Sequence, residues 1–101
     1  MSQLTVTLVQ MDCALAQTAH NFARAAGFVA EAARRGSDLV VLPELWNTAY
    51  DLENAGSHAA ALAQNADESG AFGDFARLAR ANGVWLAGSL LESRNGRFYN
   101  T

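Results

Sequence analysis

The stretch LVVLPELW, residues 39–46, decides how the rest of the sequence is interpreted. Its unbroken, β-branched start is typical of a short strand covered on both faces, as in a parallel sheet. Pro43 ends the strand because it has no N–H for the sheet ladder, and Glu44 follows at once. The sequence therefore places a carboxylate beyond the carboxyl end of a buried strand, which is where α/β sheets bind their ligands.

The residues before this stretch predict a first strand and a helix. Residues 4–12 are rich in β-branched side chains and favour a strand. Asn21 is the predicted N-cap of the helix, and Gly36 is its predicted stop. The apolar residues of the helix fall on one continuous stripe: Phe22, Ala25, Ala26, Val29, Ala32 and Ala33.

The residues after the stretch predict a second unit of the same kind. A helix capped by Asp67 should lead to another buried strand over residues 84–91. The Asn95-Gly96 pair favours a type I′ turn, so a strand starting at Arg97 should fold back antiparallel. The predicted fold class is α/β, in the order β-α-β-α-β-β, with mostly parallel strands ending in a hairpin.

Composition argues against several classes of function. The 101 residues carry a formal charge of −3, and the seven cationic residues are all arginines without a basic stripe, which disfavours nucleic-acid binding. The N-terminus does not resemble a signal peptide, and no apolar run approaches the roughly 18 residues of a membrane span. A single cysteine, Cys13, excludes an internal disulfide. We therefore expect a cytoplasmic protein that binds neither membranes nor nucleic acid.

The residues alone leave two interpretations of Glu44 open. Trp46 and the sheet edge should shield the carboxylate partly from water, and partial burial favours action as a general base near neutral pH. In the other interpretation, Glu44 only accepts backbone hydrogen bonds in a turn. Both fit a carboxylate that directly follows a strand and a proline.

The sequence resembles the nitrilase superfamily, the carbon–nitrogen hydrolases, over nearly its whole length. The most specific part of this resemblance is the glutamate motif LVVLPELWNTAY, which contains Glu44. The other matching segments, in the expected order, are TLVQMD, HNFARAAGFVAEAARRGSDLVVLPEL, WLAGSLLE and RFYNT. The resemblance favours the catalytic interpretation of Glu44.

The resemblance implies that the parent protein has the αββα sandwich of this family, with a cysteine–glutamate–lysine site and no metal or organic cofactor. Glu44 would take the proton from the cysteine thiol, and the thiolate would attack the carbon of a small amide, nitrile or carbamoyl compound. Tyr50 matches the aromatic residue that often ends the glutamate motif, where it lines the substrate pocket; in this chain both pocket lining and plain packing of its ring stay open. The parent protein is expected to be a homo-oligomer.

The chain departs from this pattern because it contains no lysine, and the family's nucleophilic cysteine belongs to a later segment. Only Glu44 of the three catalytic residues can be assigned. Since the sequence stops partway into a predicted strand, we expect residues 1–101 to be the N-terminal portion of a carbon–nitrogen hydrolase domain. Alone it should be inactive and, with one sheet face uncovered, prone to self-association. The alternative is a non-catalytic α/β binding module or a truncated product.

The remaining candidate residues favour structural roles. Cys13 lies at the end of a predicted strand, but we interpret it as a small buried cysteine and not as the nucleophile. Trp46 is expected to pack in the core, and Asn100 to support the hairpin. His58 has no second histidine or cysteine nearby, which argues against a metal site.

Overall fold

A computed structural model of the chain describes residues 3–53 and 70–101. Within these ranges three parallel strands form a sheet in the order β1-β2-β3: Val6–Leu8, Leu39–Val41 and Trp85–Ala87. The central strand β2 comes from the LVVLPELW stretch, so the apolar run that decides the interpretation of the sequence also organises the sheet. The predicted cap at Asp67 and the residue His58 lie outside the described residues.

Two helices pack over one face of this sheet. They are α1, Thr18–Arg34, and α2, Gly70–Asn82. The centre of the predicted stripe on α1 is buried: Ala25, Val29 and Ala32. Gly36 and Gly83 follow the helices with φ of +88° and +63°, the left-handed conformation that a glycine stop provides.

Residues 91–100 form the predicted antiparallel hairpin, made of β4, Leu91–Arg94, and β5, Arg97–Asn100. At its turn, Asn95 and Gly96 have φ of +52° and +74°, the positive values that a type I′ turn requires. The fold class is therefore α/β, with a parallel sheet followed by an antiparallel hairpin. This confirms the fold predicted from the sequence.

The prediction of a single buried strand over residues 84–91 is wrong. The chain leaves the parallel sheet after Ala87, and β4 pairs with β5 in a separate two-stranded sheet. The break occurs at Gly88, which lies very close to the end of β2 and to the core. A Cβ atom at Gly88 would stand 3.1 Å from Leu42 Cβ and 3.2 Å from Trp46 Cδ1.

Trp46 is the largest fully buried side chain of the core, with only 1% of its surface exposed. Its ring lies between Phe22 of α1 and Phe75 of α2, and the ring centroids are 6.1 Å apart in both pairs. These distances are within the range of favourable aromatic contacts. The predicted packing role of Trp46 is confirmed. The other members of the buried cluster are Val9, Ala25, Val29, Ala32, Val40, Leu42 and Leu90.

The second face of the parallel sheet is apolar and open. The strand register aligns six residues on this face in two rows: Val6, Leu39 and Trp85, then Leu8, Val41 and Ala87. The side chains of Leu8 and Trp85 are 76% and 79% exposed. Among the described residues, the helices thus cover one face of β2 only, which agrees with the uncovered sheet face expected for this chain and not with a strand covered on both faces. The expected self-association of the isolated chain stays a prediction.

Gly88→Ala should lower the free energy of unfolding by about 1–3 kcal/mol, because the new methyl group crowds the side chains of Leu42 and Trp46. Urea denaturation followed by tryptophan fluorescence measures this change. The matched control is Gly27→Ala in α1, where an added Cβ meets no atom within 4 Å. Alanine in that helix should stabilise the chain by about 0.5–1 kcal/mol. A Gly88→Ala variant as stable as the parent would contradict the close approach.

Candidate active site

Glu44 lies just beyond the carboxyl end of β2. The N–H of Leu42 donates to the carbonyl oxygen of Ala87 at 2.7 Å, which extends the pairing of β2 with β3 up to this point. The Glu44 side chain is exposed, so the predicted shielding by Trp46 is wrong. The chain turns at Leu45 with φ of +48°, which takes the Trp46 ring into the core and leaves Glu44 at the surface.

Each oxygen of the Glu44 carboxylate accepts one hydrogen bond from the part of the chain that the structure describes. The Tyr50 hydroxyl donates to Oε1 at 2.7 Å, and the side-chain amide of Asn100 donates to Oε2 at 3.1 Å. Tyr50 belongs to the same loop, whereas Asn100 is the last residue of β5. The structure thus brings together the two predicted site residues, Glu44 and Tyr50. It also adds Asn100, for which we had expected only a role in the hairpin.

The loop from Leu45 to Tyr50 has an unusual backbone that its surroundings stabilise. Leu45 and Ala49 have φ of +48° and +55°, values that are uncommon and costly for residues with a Cβ atom. The N–H of Leu45 donates to Ser89 Oγ at 2.8 Å, and the N–H of Ala49 donates to the Leu45 carbonyl at 2.8 Å. Leu45 is also buried in a cluster with Leu91 of the hairpin. These contacts fix the loop that carries Glu44.

Asn21 joins the loop after β1 to the loop that follows Glu44. Its buried side chain accepts the N–H of Ala14 at 2.8 Å and donates to the carbonyls of Ala14 and Asn47 at 2.7 and 2.9 Å. The prediction that Asn21 caps α1 is wrong, because α1 already begins at Thr18. A signal in the sequence was available: Asn21 continues the apolar stripe four residues before Ala25, and a buried amide needs hydrogen-bond partners.

Both partners of Glu44 line the same pocket, which has a volume of about 410 Å³. Its walls are formed by Leu45, Tyr50, Leu52, Leu91, Phe98, Tyr99 and Asn100. Mostly apolar and aromatic walls with a few polar groups are typical of sites for small molecules. Tyr50 therefore contributes both to the carboxylate contact and to the pocket wall.

The contact with Glu44 makes Tyr50 a weaker acid. The hydrogen bond from its hydroxyl to the carboxylate raises the pKa of Tyr50 above its ordinary value, and slight desolvation and the negative charge of Glu44 act in the same direction. A charged acceptor stabilises the protonated phenol, because ionisation would place two negative charges side by side. Tyr50 is therefore a hydrogen-bond donor at neutral pH.

Cys13 does not have the surroundings of an activated thiol. It is half-buried, and its sulfur lies 3.9 Å from the carbonyl oxygen of Met11. Burial raises the pKa of the Cys13 thiol, the charge of Asp12 raises it further, and Arg24 opposes both. A nucleophilic cysteine needs a lowered pKa, because the thiolate is the reactive form. These surroundings favour the structural interpretation of Cys13.

Groups that could hold a metal ion do not occur in residues 3–53 and 70–101: no three His, Cys, Asp or Glu side chains come together there. In the same ranges, neither helix combines the length and apolar character needed to cross a membrane. The partners of Glu44 in these ranges are not further metal-binding side chains but two neutral hydrogen-bond donors, Tyr50 and Asn100.

Comparison with known sequences identifies the family. The family model described as carbon-nitrogen hydrolase matches residues 5–101. The chain belongs to the carbon–nitrogen hydrolase family. This confirms the resemblance carried by the glutamate motif around Glu44.

Three curated relatives of this carbon–nitrogen hydrolase chain are similar along almost all of it. The 2-oxoglutaramate amidase of Bacillus subtilis (strain 168) is 34% identical over 100 residues. The nitrilase of Pyrococcus abyssi (strain GE5 / Orsay) is 30% identical over 96 residues, and the omega-amidase NIT2-B of Xenopus laevis is 28% identical over 102 residues. The alignments cover 96%, 95% and 100% of this chain but 36%, 36% and 35% of the relatives. The chain thus spans little more than a third of their length.

Replacing Glu44 should return the phenol of Tyr50 to ordinary acidity. In a Tyr99→Phe background Tyr50 is the only tyrosine, so the ultraviolet absorbance of tyrosinate reports on it alone. We expect its pKa to lie above about 10 in this background and to fall toward 10 when Glu44→Gln is added. Glu53→Gln, which also removes an exposed carboxylate, is the matched control and should leave the titration unchanged. Identical titrations with and without the Glu44→Gln substitution would contradict the contact.

Cys13 of this carbon–nitrogen hydrolase chain should react slowly with iodoacetamide at neutral pH. The apparent pKa of alkylation should exceed about 8.5, because burial and Asp12 both disfavour the thiolate. Asp12→Asn should lower this apparent pKa, and Arg24→Gln should raise it. The rate of alkylation measured across pH tests all three. An apparent pKa well below about 8.5 in the parent chain would argue that Cys13 is an activated nucleophile.

Proposed function

We propose that this chain supplies the general base, Glu44, of a hydrolase that cleaves C–N bonds in small amides, nitriles or carbamoyl compounds. The observation that carries the proposal is the position of the Glu44 carboxylate: it is exposed at the carboxyl end of β2, and both of its oxygens are held by hydrogen bonds. Membership of the family and the names of the relatives, two amidases and a nitrilase, support it.

In the proposed reaction Glu44 accepts the proton of a cysteine thiol, and the resulting thiolate attacks the carbon of the substrate. With an amide or carbamoyl substrate the proton then passes to the leaving nitrogen, which departs as ammonia or an amine. With a nitrile the proton passes to the nitrogen of the thioimidate that forms, and one water molecule adds to its carbon before ammonia departs. Glu44 next takes a proton from a water molecule, which attacks the acyl carbon. The acid leaves, and the proton returns from Glu44 to the cysteine thiolate. A base is needed because a free thiol is only a few per cent thiolate at pH 7. Side chains alone can perform these steps, so we propose no metal or organic cofactor.

The other two groups of the catalytic site must come from outside these 101 residues. The sequence contains no lysine to stabilise the oxyanion, and the raised pKa of Cys13 does not suit a nucleophile. We therefore propose that residues 1–101 are the N-terminal portion of a carbon–nitrogen hydrolase domain. The coverage of 35–36% of the relatives' lengths supports this proposal.

Tyr50 is proposed to bind the substrate as well as to contact Glu44. It lines the pocket of about 410 Å³ next to the carboxylate, and the residue is 63% exposed, so a small molecule can reach it. Amide hydrolysis is the preferred reaction, because two of the three relatives are named amidases. We further propose that the parent protein is cytoplasmic and homo-oligomeric.

Glu44→Gln in the complete protein that contains this chain should abolish the release of ammonia from small amides. Glutamine keeps the shape of glutamate but cannot accept the thiol proton, so kcat should fall by about 10²-fold to 10⁴-fold. Steady-state assays on a panel of amides and nitriles measure the effect. Glu53→Gln removes a nearby exposed carboxylate and should retain the parental rate.

Two outcomes would contradict this proposal. Parental turnover by Glu44→Gln would exclude Glu44 as the base. A complete protein that hydrolyses no amide, nitrile or carbamoyl compound would favour the non-catalytic binding module. The isolated 101-residue chain is expected to release no ammonia, because it lacks the lysine and an activated thiol.

A further inference from the structure

Asn100 reaches the carboxylate of Glu44 from a distant part of the sequence. It lies 56 residues away, and its Nδ2 atom donates to Oε2 at 3.1 Å while Tyr50 donates to Oε1. A carboxylate oxygen has two lone pairs, so with the donors found in residues 3–53 and 70–101 each oxygen retains one for a thiol or a water molecule. We propose that Asn100 is a positioning residue: it fixes the rotation of the Glu44 carboxylate so that a free lone pair faces the nucleophile. The inference rests on the proposed function of Glu44.

The hairpin presents Asn100 from a firmly paired backbone. Asn100 pairs with Leu91, and at the next position Leu90 and Thr101 exchange two backbone hydrogen bonds of 2.8 and 2.9 Å. Leu90 and Leu91 are only 1% and 2% exposed. The backbone of Asn100 is therefore anchored to the core even though its side chain is exposed.

The loop that carries Glu44 is anchored to the same segment by other contacts. The N–H of Leu45 donates to Ser89 Oγ at 2.8 Å, and Leu45 shares a buried cluster with Leu91. Loop and hairpin are thus already joined without the contact between Asn100 and Glu44. The exposed contact between Asn100 and Glu44 is therefore not needed to join the loop to the hairpin. We infer that its role is to orient the Glu44 carboxylate.

The chemistry of the amide also suits this role. A general base gains and loses a proton in each turn of the reaction, so donors around it should keep a constant protonation state. The amide of Asn100 does not titrate near neutral pH, and it can donate but not release its proton to Glu44. An exposed glutamate samples several rotamers, and restricting it to one costs conformational entropy. The hydrogen bonds from Asn100 and Tyr50 offset that cost and hold the Glu44 side chain in one orientation.

The test compares Asn100→Ala and Asn100→Asp in the complete protein that contains this chain. Alanine removes the donor, and aspartate keeps its shape but turns an oxygen toward Oε2. We expect kcat to fall about tenfold or more, further for aspartate than for alanine, with a smaller change in KM, because misorientation of a reacting group slows the chemical step. Asn100→Gln keeps an amide donor and should recover part of the lost rate. Parental kcat in Asn100→Ala and Asn100→Asp would overturn the inference.

Gly96→Ala is the matched control for the stability of the hairpin. Gly96 has φ of +74°, so alanine strains the turn, and an added Cβ meets no atom within 4 Å. This variant should be less stable than the parent but should keep its kcat, because no group near Glu44 is removed. If Gly96→Ala lost as much kcat as Asn100→Ala at equal loss of stability, Asn100 would be a structural residue.

Glu44→Gln separates the two proposals. If that variant is active, the proposed function fails; if it is inactive while the Asn100 variants turn over at the parental rate, only the positioning role fails. Nuclear magnetic resonance on the 101-residue chain adds a readout that does not depend on turnover. The side-chain amide signal of Asn100 should shift in Glu44→Ala and stay in place in Glu53→Ala, and an unchanged signal in Glu44→Ala would overturn the contact.

Discussion

The Trp46 ring fills the space where α1, α2 and the end of the parallel sheet meet. It lies 6.1 Å from the rings of both Phe22 and Phe75, and a Cβ atom at Gly88 would stand only 3.2 Å from its Cδ1 atom. Two residues before it, Glu44 has left the sheet, and the reversal at Leu45 separates the two side chains. Burial of a single large ring thus determines where β3 ends, how the loop after β2 turns, and why the carboxylate stays at the surface.

This arrangement imposes an unfavourable backbone that other contacts must stabilise. Positive φ at Leu45 and Ala49 costs of order 1–3 kcal/mol at each residue. Polar side chains hold the loop against that strain: the half-buried Ser89 accepts the N–H of Leu45, and the buried Asn21 donates to the carbonyl of Asn47. Because a buried polar group without a partner is costly, these side chains restrict the loop to one conformation. The strain is located beside Glu44, where a fixed geometry is most useful.

Elements with local signals could be predicted from the sequence, and contacts between distant residues could not. Apolar periodicity and the turn at Asn95 gave the helices, the order of strands and the hairpin, and the glutamate motif gave Glu44. The strand predicted over residues 84–91 failed because an apolar run does not reveal a close approach to Trp46. The contact of Asn100 with Glu44 depends on how the hairpin sits against the end of β2, which no local pattern encodes.

If Glu44 is the general base that we propose, the hairpin register matters for the chemistry as well as for the fold. Successive residues of a strand point to opposite faces, so a slip of one residue in β5 would turn Asn100 away and bring Tyr99 toward the side that faces Glu44. The pairing of Leu91 with Asn100 and the positive φ values at Asn95 and Gly96 select one register. The pairing that places Asn100 opposite Leu91 then decides whether its amide can reach the carboxylate that follows β2. The Glu44 carboxylate is exposed and not held by packing, and one of its two hydrogen-bond donors among the described residues lies 56 residues later in the chain.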